Sequence, residues 1–192
     1  TALFAVLLYV SAAVLVGGLA YRIRDYARTP APLKIPTTPA PITRTGVALR
    51  MVREIALFES LFRSNLWTWA FGWLFHVGLA LVLVRHLRYF VEPVWGWVAF
   101  VQPFGVYGGF LMAAGLAGLW ARRFLVARVR YISTPSDHLM IALLLAIAGT
   151  GLAMTYVTHT DIVALKAFTL GLLYFDWQPL PADPLVYLHL AL

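Results

Sequence analysis

Apolar residues fall along this chain in long unbroken runs, not in the short alternating stretches of a water-soluble fold. Leu3–Tyr21 carries no charge over 19 residues, enough for a helix to cross a hydrocarbon core of ~30 Å. No basic stretch precedes it and no small-residue cleavage site follows, so the pattern predicts a retained helix and not a signal peptide. A second span covers 66–87, with His76 near its middle and His86 at its end. Val94–Ala121 is also charge-free, and Pro103 followed by Gly105 predicts a third helix over 104–121 with an interfacial piece before it. The fourth span, 137–157, is announced by Thr134-Pro135-Ser136-Asp137, a capping residue with proline and an acidic first turn. After the breaker Pro179–Pro184 a fifth apolar segment opens over 185–192, too short to span. Ala167–Phe175 reads as a short interfacial helix, and 22–65 as a basic loop containing the proline cluster Pro30–Pro41. The expectation is an all-α integral membrane protein: one five-helix domain over 1–192, its fifth helix only begun where the sequence given stops.

Composition narrows the class. Apolar residues make up 61% and charged ones 12%, with a mean hydropathy of +0.80. An average soluble domain carries roughly 25% charged residues, so a soluble globular enzyme is close to excluded, and disorder is excluded by the hydrophobicity. Without cysteine, the chain has no disulfide, no cysteine nucleophile, no iron–sulfur ligation and no covalent c-type haem.

The net charge of +7 is a topology signal. Eight basic residues lie in 22–65 and four more, Arg122, Arg123, Arg128 and Arg130, follow the third span. Only Arg85, Arg88 and Lys166 lie on the opposite side. The positive-inside rule then places both basic loops in the cytoplasm and the N-terminus outside. Trp67, Trp69 and Trp120 fall near the inner interface, and Trp95, Trp97 and Trp177 near the outer one. Nucleic-acid binding is not needed to explain the charge.

The chemistry-bearing residues are five histidines. His76 and His86, ten residues apart, differ by a rise of about 15 Å and a rotation of roughly 80°, so they cannot share one metal ion. They can each serve one of two cofactors stacked across a membrane. His189 sits at the depth of His86, at the start of the fifth segment. An ionisable residue inside a span is a functional hypothesis by default, and inward-facing imidazoles are the ligands that hold b-type haem through two axial nitrogens. The plainer reading is a hydrogen bond between helices. Likewise the glycines near His76 and along the third span let either a porphyrin or a second helix come close, and alone they favour packing. His138 reads as a solvated capping residue. His159, in the outer His159-Thr160-Asp161 segment, could take quinol protons because its charge changes near neutral pH; Asp161 and Lys166 are proton-handling candidates or an ordinary ion pair.

Several segments together resemble one family: WTWAFGWLFH at 67–76, RHLRYF at 85–90, YISTPSDH at 131–138, HTDI at 159–162 and PLPADP at 179–184. They resemble the γ-subunit family of respiratory nitrate reductases. Within it they are most similar to the sulfur-metabolism branch, the M subunit of the Dsr membrane complex tied to dissimilatory sulfite reductase. The resemblance covers nearly the whole chain and implies a five-helix cytochrome b of the inner cell membrane with two bis-histidine haems b. Carried over by position, His86 and His189 are the axial ligands of the outer haem and His76 a ligand of the inner one. The second ligand to the inner haem would lie about five turns past His189, beyond Leu192. A lysine tied to quinol binding in nitrate reductase relatives has no match after the second span.

The resemblance implies a subunit, set among membrane lipid, that moves electrons between menaquinone and a cytoplasmic iron–sulfur subunit resembling heterodisulfide reductase. Further membrane and periplasmic subunits, including a c-type cytochrome, are implied as partners. Alternatives from the residues are a nitrate reductase γ-subunit proper, a proton-coupled transporter using membrane histidines, and a cofactor-free anchor. A transporter predicts helices broken at the midplane, whereas Pro103 falls near a helix start.

Overall fold

The computed structural model describes residues 1–30 and 41–192; Lys34 and most of the proline cluster lie outside the described residues. Every regular element among the described residues is helical. The chain divides into two compact units, Thr1–Arg53 and Glu54–Leu192. The first holds α1 (Ala2–Arg28), 27 residues whose large apolar side chains are exposed along its length, as lipid contact requires. It also holds most of α2 (Arg44–Leu57).

The second unit contains α3 (Glu59–Ser64), α4 (Leu66–His86), α5 (Gly96–Leu125), α6 (Ala127–Ile132), α7 (Pro135–Tyr156), α8 (Ile162–Tyr174) and α9 (Pro184–Ala191). A turn of 3-10 helix, Leu87–Tyr89, prolongs α4. Among the described residues, α1, α4 with its extension, α5 and α7 are each long and apolar enough to cross a membrane. The chain is a multi-pass membrane protein.

Glycine decides how α4 meets α5. A Cβ on Gly78 would stand 2.5 Å from the Met112 nitrogen and 2.7 Å from the Gly108 oxygen, and one on Gly115 would stand 2.6 Å from the Phe75 nitrogen. The obstacles are backbone, which cannot give way. At Gly105 and Gly108 a Cβ would first meet side-chain carbons of Arg85 and Leu81, with the Leu81 and Gly78 carbonyls close behind at 3.1 Å. Numbers rise on one helix as they fall on the other, so the pair is antiparallel. In lipid no hydrophobic force drives helices together, and close contact between small residues supplies the attraction instead. The small residues of the third span are thus used for helix packing. Met112, Leu116 and Ala148 form the buried centre between α5 and α7, with Phe75 and Leu79 of α4 against it.

Three boundaries differ from the sequence reading. The third span does not begin at Pro103: α5 starts at Gly96 and Pro103 lies inside it. Proline removes one backbone donor but need not end a membrane helix whose neighbours hold it. Here the Arg85 guanidinium donates to the Gln102 carbonyl at 2.9 Å, and the Gln102 side chain donates back to the Arg85 carbonyl at 3.3 Å. The stretch 22–65 is not simply a loop, because α1 runs on to Arg28 and α2 and α3 follow. Two indoles of α4 hold the α2–α3 corner: Trp69 donates to the Leu57 carbonyl at 2.7 Å and Trp73 to that of Ala56 at 3.3 Å. The interfacial helix starts five residues earlier than Ala167, at Ile162, where Asp161 accepts from the nitrogens of Val163 and Ala164. The α7 start agrees with its signal, Thr134 and Asp137 forming a reciprocal capping box.

The start of α9 is tied to the end of α7. Asp183 caps α9 by accepting from the Leu185 nitrogen at 2.9 Å, and its other oxygen accepts from the hydroxyls of Thr158 and Thr160. The Thr160 hydroxyl foremost, with the Leu185 and Thr158 donors, holds the Asp183 carboxyl below the usual carboxylate range.

Two predictions follow from these contacts. Gly78→Leu and Gly115→Leu should each destabilise the detergent-purified protein by about 1–3 kcal/mol, read as a lower unfolding temperature. Gly149→Ala, where a Cβ meets nothing within 4 Å, should not; equal loss in all three would refute the crossing. A carboxyl with a depressed folded pKa stabilises above its unfolded pKa and loses that contribution as pH falls through the folded value. Asp183→Ala should therefore lower the melting temperature at pH 7, with the gap to wild type closing below about pH 4. A gap independent of pH down to acid unfolding would refute the role of the charged form.

Candidate functional site

A cavity of about 390 Å³ lies between α4, α5, α7 and α9, with the α8 start at its rim. Its volume suits a bound organic group. Most of its wall is apolar, made by Leu79, Met112, Ile147, Ala148 and Leu152 among others, while His86, His189, Arg85 and His159 add nitrogen. Gly105, Gly109 and Gly151 also line it.

His86 and His189 face this space from different helices. Their ring centroids are 6.4 Å apart and their planes differ by only 16°. A metal ion bonded to one nitrogen of each ring at about 2.0 Å, with that nitrogen ~1.2 Å from its ring centre, sets two imidazoles about 6.4 Å apart. The spacing fits a bis-imidazole iron site.

Hydrogen bonds at the far nitrogen decide which tautomer each ring adopts. The Nδ1 of His86 lies 2.7 Å from the Val82 carbonyl, one turn back on α4, and the Nδ1 of His76 lies 2.7 Å from the Gly72 carbonyl in the same relation. A carbonyl only accepts, so both rings carry the proton on Nδ1. The Nδ1 of His189 meets the Thr150 hydroxyl at 2.8 Å. His76 and His86 therefore each offer a bare Nε2 lone pair, the state a metal ligand needs.

His138 is the contrast. The Trp120 indole donates to its Nδ1 at 3.0 Å, which forces the proton onto Nε2, and Phe124 packs on the ring at 5.1 Å. The sequence reading of a solvated cap is corrected: His138 is a half-buried packing residue between α5 and α7, and Asp137 does the capping. His76 packs between the rings of Phe58 at 5.0 Å and Phe75 at 4.7 Å, away from the cavity lining. Phe58 adopts the left-handed region, φ 50°, to place its ring there.

The three residues singled out for proton handling separate. His159, itself at φ 50°, lines the cavity rim. Asp161 caps α8. Lys166 pairs with Glu92, not with Asp161 as a sequence-local ion pair would have it. The Thr169 hydroxyl of α8 donates to the Tyr89 carbonyl, so α8 docks on the turn that follows His86.

Sequence reasoning missed Thr150 and Gly151. Their signal was a hydroxyl followed by a glycine inside an otherwise apolar run; a Cβ on Gly151 would stand 3.4 Å from the His189 ring.

Comparisons with known proteins identify the family. The model of the family described as nitrate reductase gamma subunit matches residues 58–179, a stretch that includes His76, His86 and His159. Two relatives are each named an Hdr-like menaquinol oxidoreductase cytochrome b-like subunit. The protein from Archaeoglobus fulgidus is 35% identical over 96% of this chain and 69% of its own length. The one from Archaeoglobus profundus is 33% identical over 97% of this chain and 68% of its own length. No solved structure matches the chain. A membrane bundle that brings together one imidazole from α4 and one from α9, matched by these proteins across nearly its whole length, belongs to the nitrate reductase gamma subunit family of membrane cytochrome b-like electron-transfer subunits.

Proposed function

We propose that the chain is the haem b subunit of a menaquinol oxidoreductase, exchanging electrons between menaquinone and a cytoplasmic iron–sulfur subunit resembling heterodisulfide reductase. The observation that carries this reading is the His86–His189 pair, 6.4 Å apart across an apolar cavity with both Nδ1 positions engaged elsewhere. Both relatives' names, Hdr-like menaquinol oxidoreductase, support the quinol and the type of complex. Haem b held there would supply a one-electron carrier.

His86 and His189 hold the outer group, and His76, about 15 Å from His86 along α4, serves a second haem. The apolar wall excludes water, and Arg85 gives the cavity one fixed positive charge beside His86. Oxidation of a quinol releases two electrons and two protons. His159 stands at the rim as the base for one proton, its imidazole being able to take one up. Asp161 and Lys166 serve the same region indirectly, by capping α8 and fixing it to Glu92. The basic loops after α1 and α5 form the cytoplasmic docking side, and the complex includes further membrane and periplasmic subunits, a c-type cytochrome among them. Its physiological setting is sulfur metabolism, following the residues shared with the Dsr branch.

Haem content per chain, read from dithionite-reduced minus oxidised spectra of the natural full-length protein, tests this reading. His86→Ala and His189→Ala should each remove about one b-type haem per chain, and His138→Ala should remove none. Full haem content in His86→Ala, or absence of haem from folded wild type, would overturn it.

A further inference from the structure

We infer that Thr150 and Gly151 form a seat for the His189 ring, in which the Thr150 hydroxyl is the positioning residue that selects the nitrogen this histidine offers to a metal. The inference rests on the haem reading above and deepens it.

The hydrogen-bond inventory of Thr150 carries the argument. A hydroxyl has one proton and two lone pairs. The Thr150 oxygen lies 2.8 Å from the Ala146 carbonyl and 3.1 Å from the Ile147 carbonyl, neither of which can donate. Its proton is therefore committed to its own helix, as threonines inside apolar helices commonly arrange. What remains toward His189 is a lone pair, and the 2.8 Å contact with Nδ1 must be an N–H donated by the ring. His189 thus reaches the same tautomer as His76 and His86 by a different route. The two α4 rings lean on a carbonyl of their own helix, four residues back. His189 instead takes its orientation from the neighbouring helix α7.

Gly151 completes the seat by leaving room. A Cβ there would stand 3.4 Å from the His189 Cε1 and 4.0 Å from its Nδ1, ordinary van der Waals contact, so a methyl group fits beside the ring while a larger side chain would press it off the hydroxyl. The Ile147 carbonyl also faces His189 and offers a second acceptor when the hydroxyl is removed. The expected effect is accordingly a change in alignment and electron donation, not complete loss of the ligand. Donation from Nδ1–H makes the far nitrogen more basic and favours the oxidised metal, so weakening it moves the midpoint potential upward.

The test uses the full-length protein in detergent with added haem b. Thr150→Val keeps the shape and removes the hydroxyl; it should weaken haem affinity by about tenfold and move the potential of one haem positive, leaving any other unmoved. Thr150→Ser should restore both, which a purely packing role of the threonine methyl would not allow. Gly151→Val, whose branched side chain reaches past the Cβ contact, should shift the same haem in the same direction, and serves if Thr150→Val fails to fold. Wild-type affinity and potential in Thr150→Val, or a Thr150→Ser variant as impaired as Thr150→Val, would overturn the seat while leaving the haem reading intact. Loss of the haem reading itself registers separately, as absent haem in wild type or retained haem in His189→Ala.

Discussion

The site depends on a proton being held at one nitrogen of each imidazole. Histidine in an apolar bundle can place its proton on either nitrogen, and only one choice leaves a lone pair aimed away from its own support. The carbonyls of Gly72 and Val82 and the hydroxyl of Thr150 make that choice for His76, His86 and His189. The Trp120 indole makes the opposite choice for His138. Four histidines at similar positions in apolar helices are thus sorted into three potential ligands and one packing residue by what stands behind Nδ1.

The bundle keeps His86 and His189 at the right separation by two means. Backbone contact at Gly78, Gly108 and Gly115 sets α4 against α5 with no side chain between them, and this fixes where His86 enters the cavity. At the other wall, Asp183 joins the first turn of α9 to Thr158 and Thr160 beyond α7, which fixes the height of His189. The α8 helix closes the rim through Thr169 and the Lys166–Glu92 pair. A close crossing and a polar tether are complementary: the first resists sliding within lipid, the second acts outside the spanning helices and weakens in acid as the Asp183 carboxylate is protonated.

Much of this was legible in the sequence because membranes impose strict rules. Charge-free runs located the spanning helices, the Thr134–Asp137 signal located the α7 start, and the matched depth of His86 and His189 located the paired rings. The misses have physical causes. Pro103 was read as a helix boundary, whereas Arg85 and Gln102 bridge α4 and α5 around it. Residues 44–57 carry four charges and read as loop, yet form a helix whose last carbonyls receive two indole N–H groups from α4. His138 carried no mark in the sequence of its partner Trp120, eighteen residues away on another helix. Thr150 and Gly151 looked like ordinary small residues of a membrane span, because their meaning lies in which ring of another helix they meet.

The central claim is that the Nε2 atoms of His86 and His189 meet one iron. An electron-cryomicroscopy map of the full-length protein purified with its haem addresses it most directly. The account predicts macrocycle density in the cavity between α4, α5, α7 and α9, its iron joined to His86 on one face and His189 on the other, with Thr150 still against Nδ1. A macrocycle ligated by any other pair, or density at His138, would contradict it.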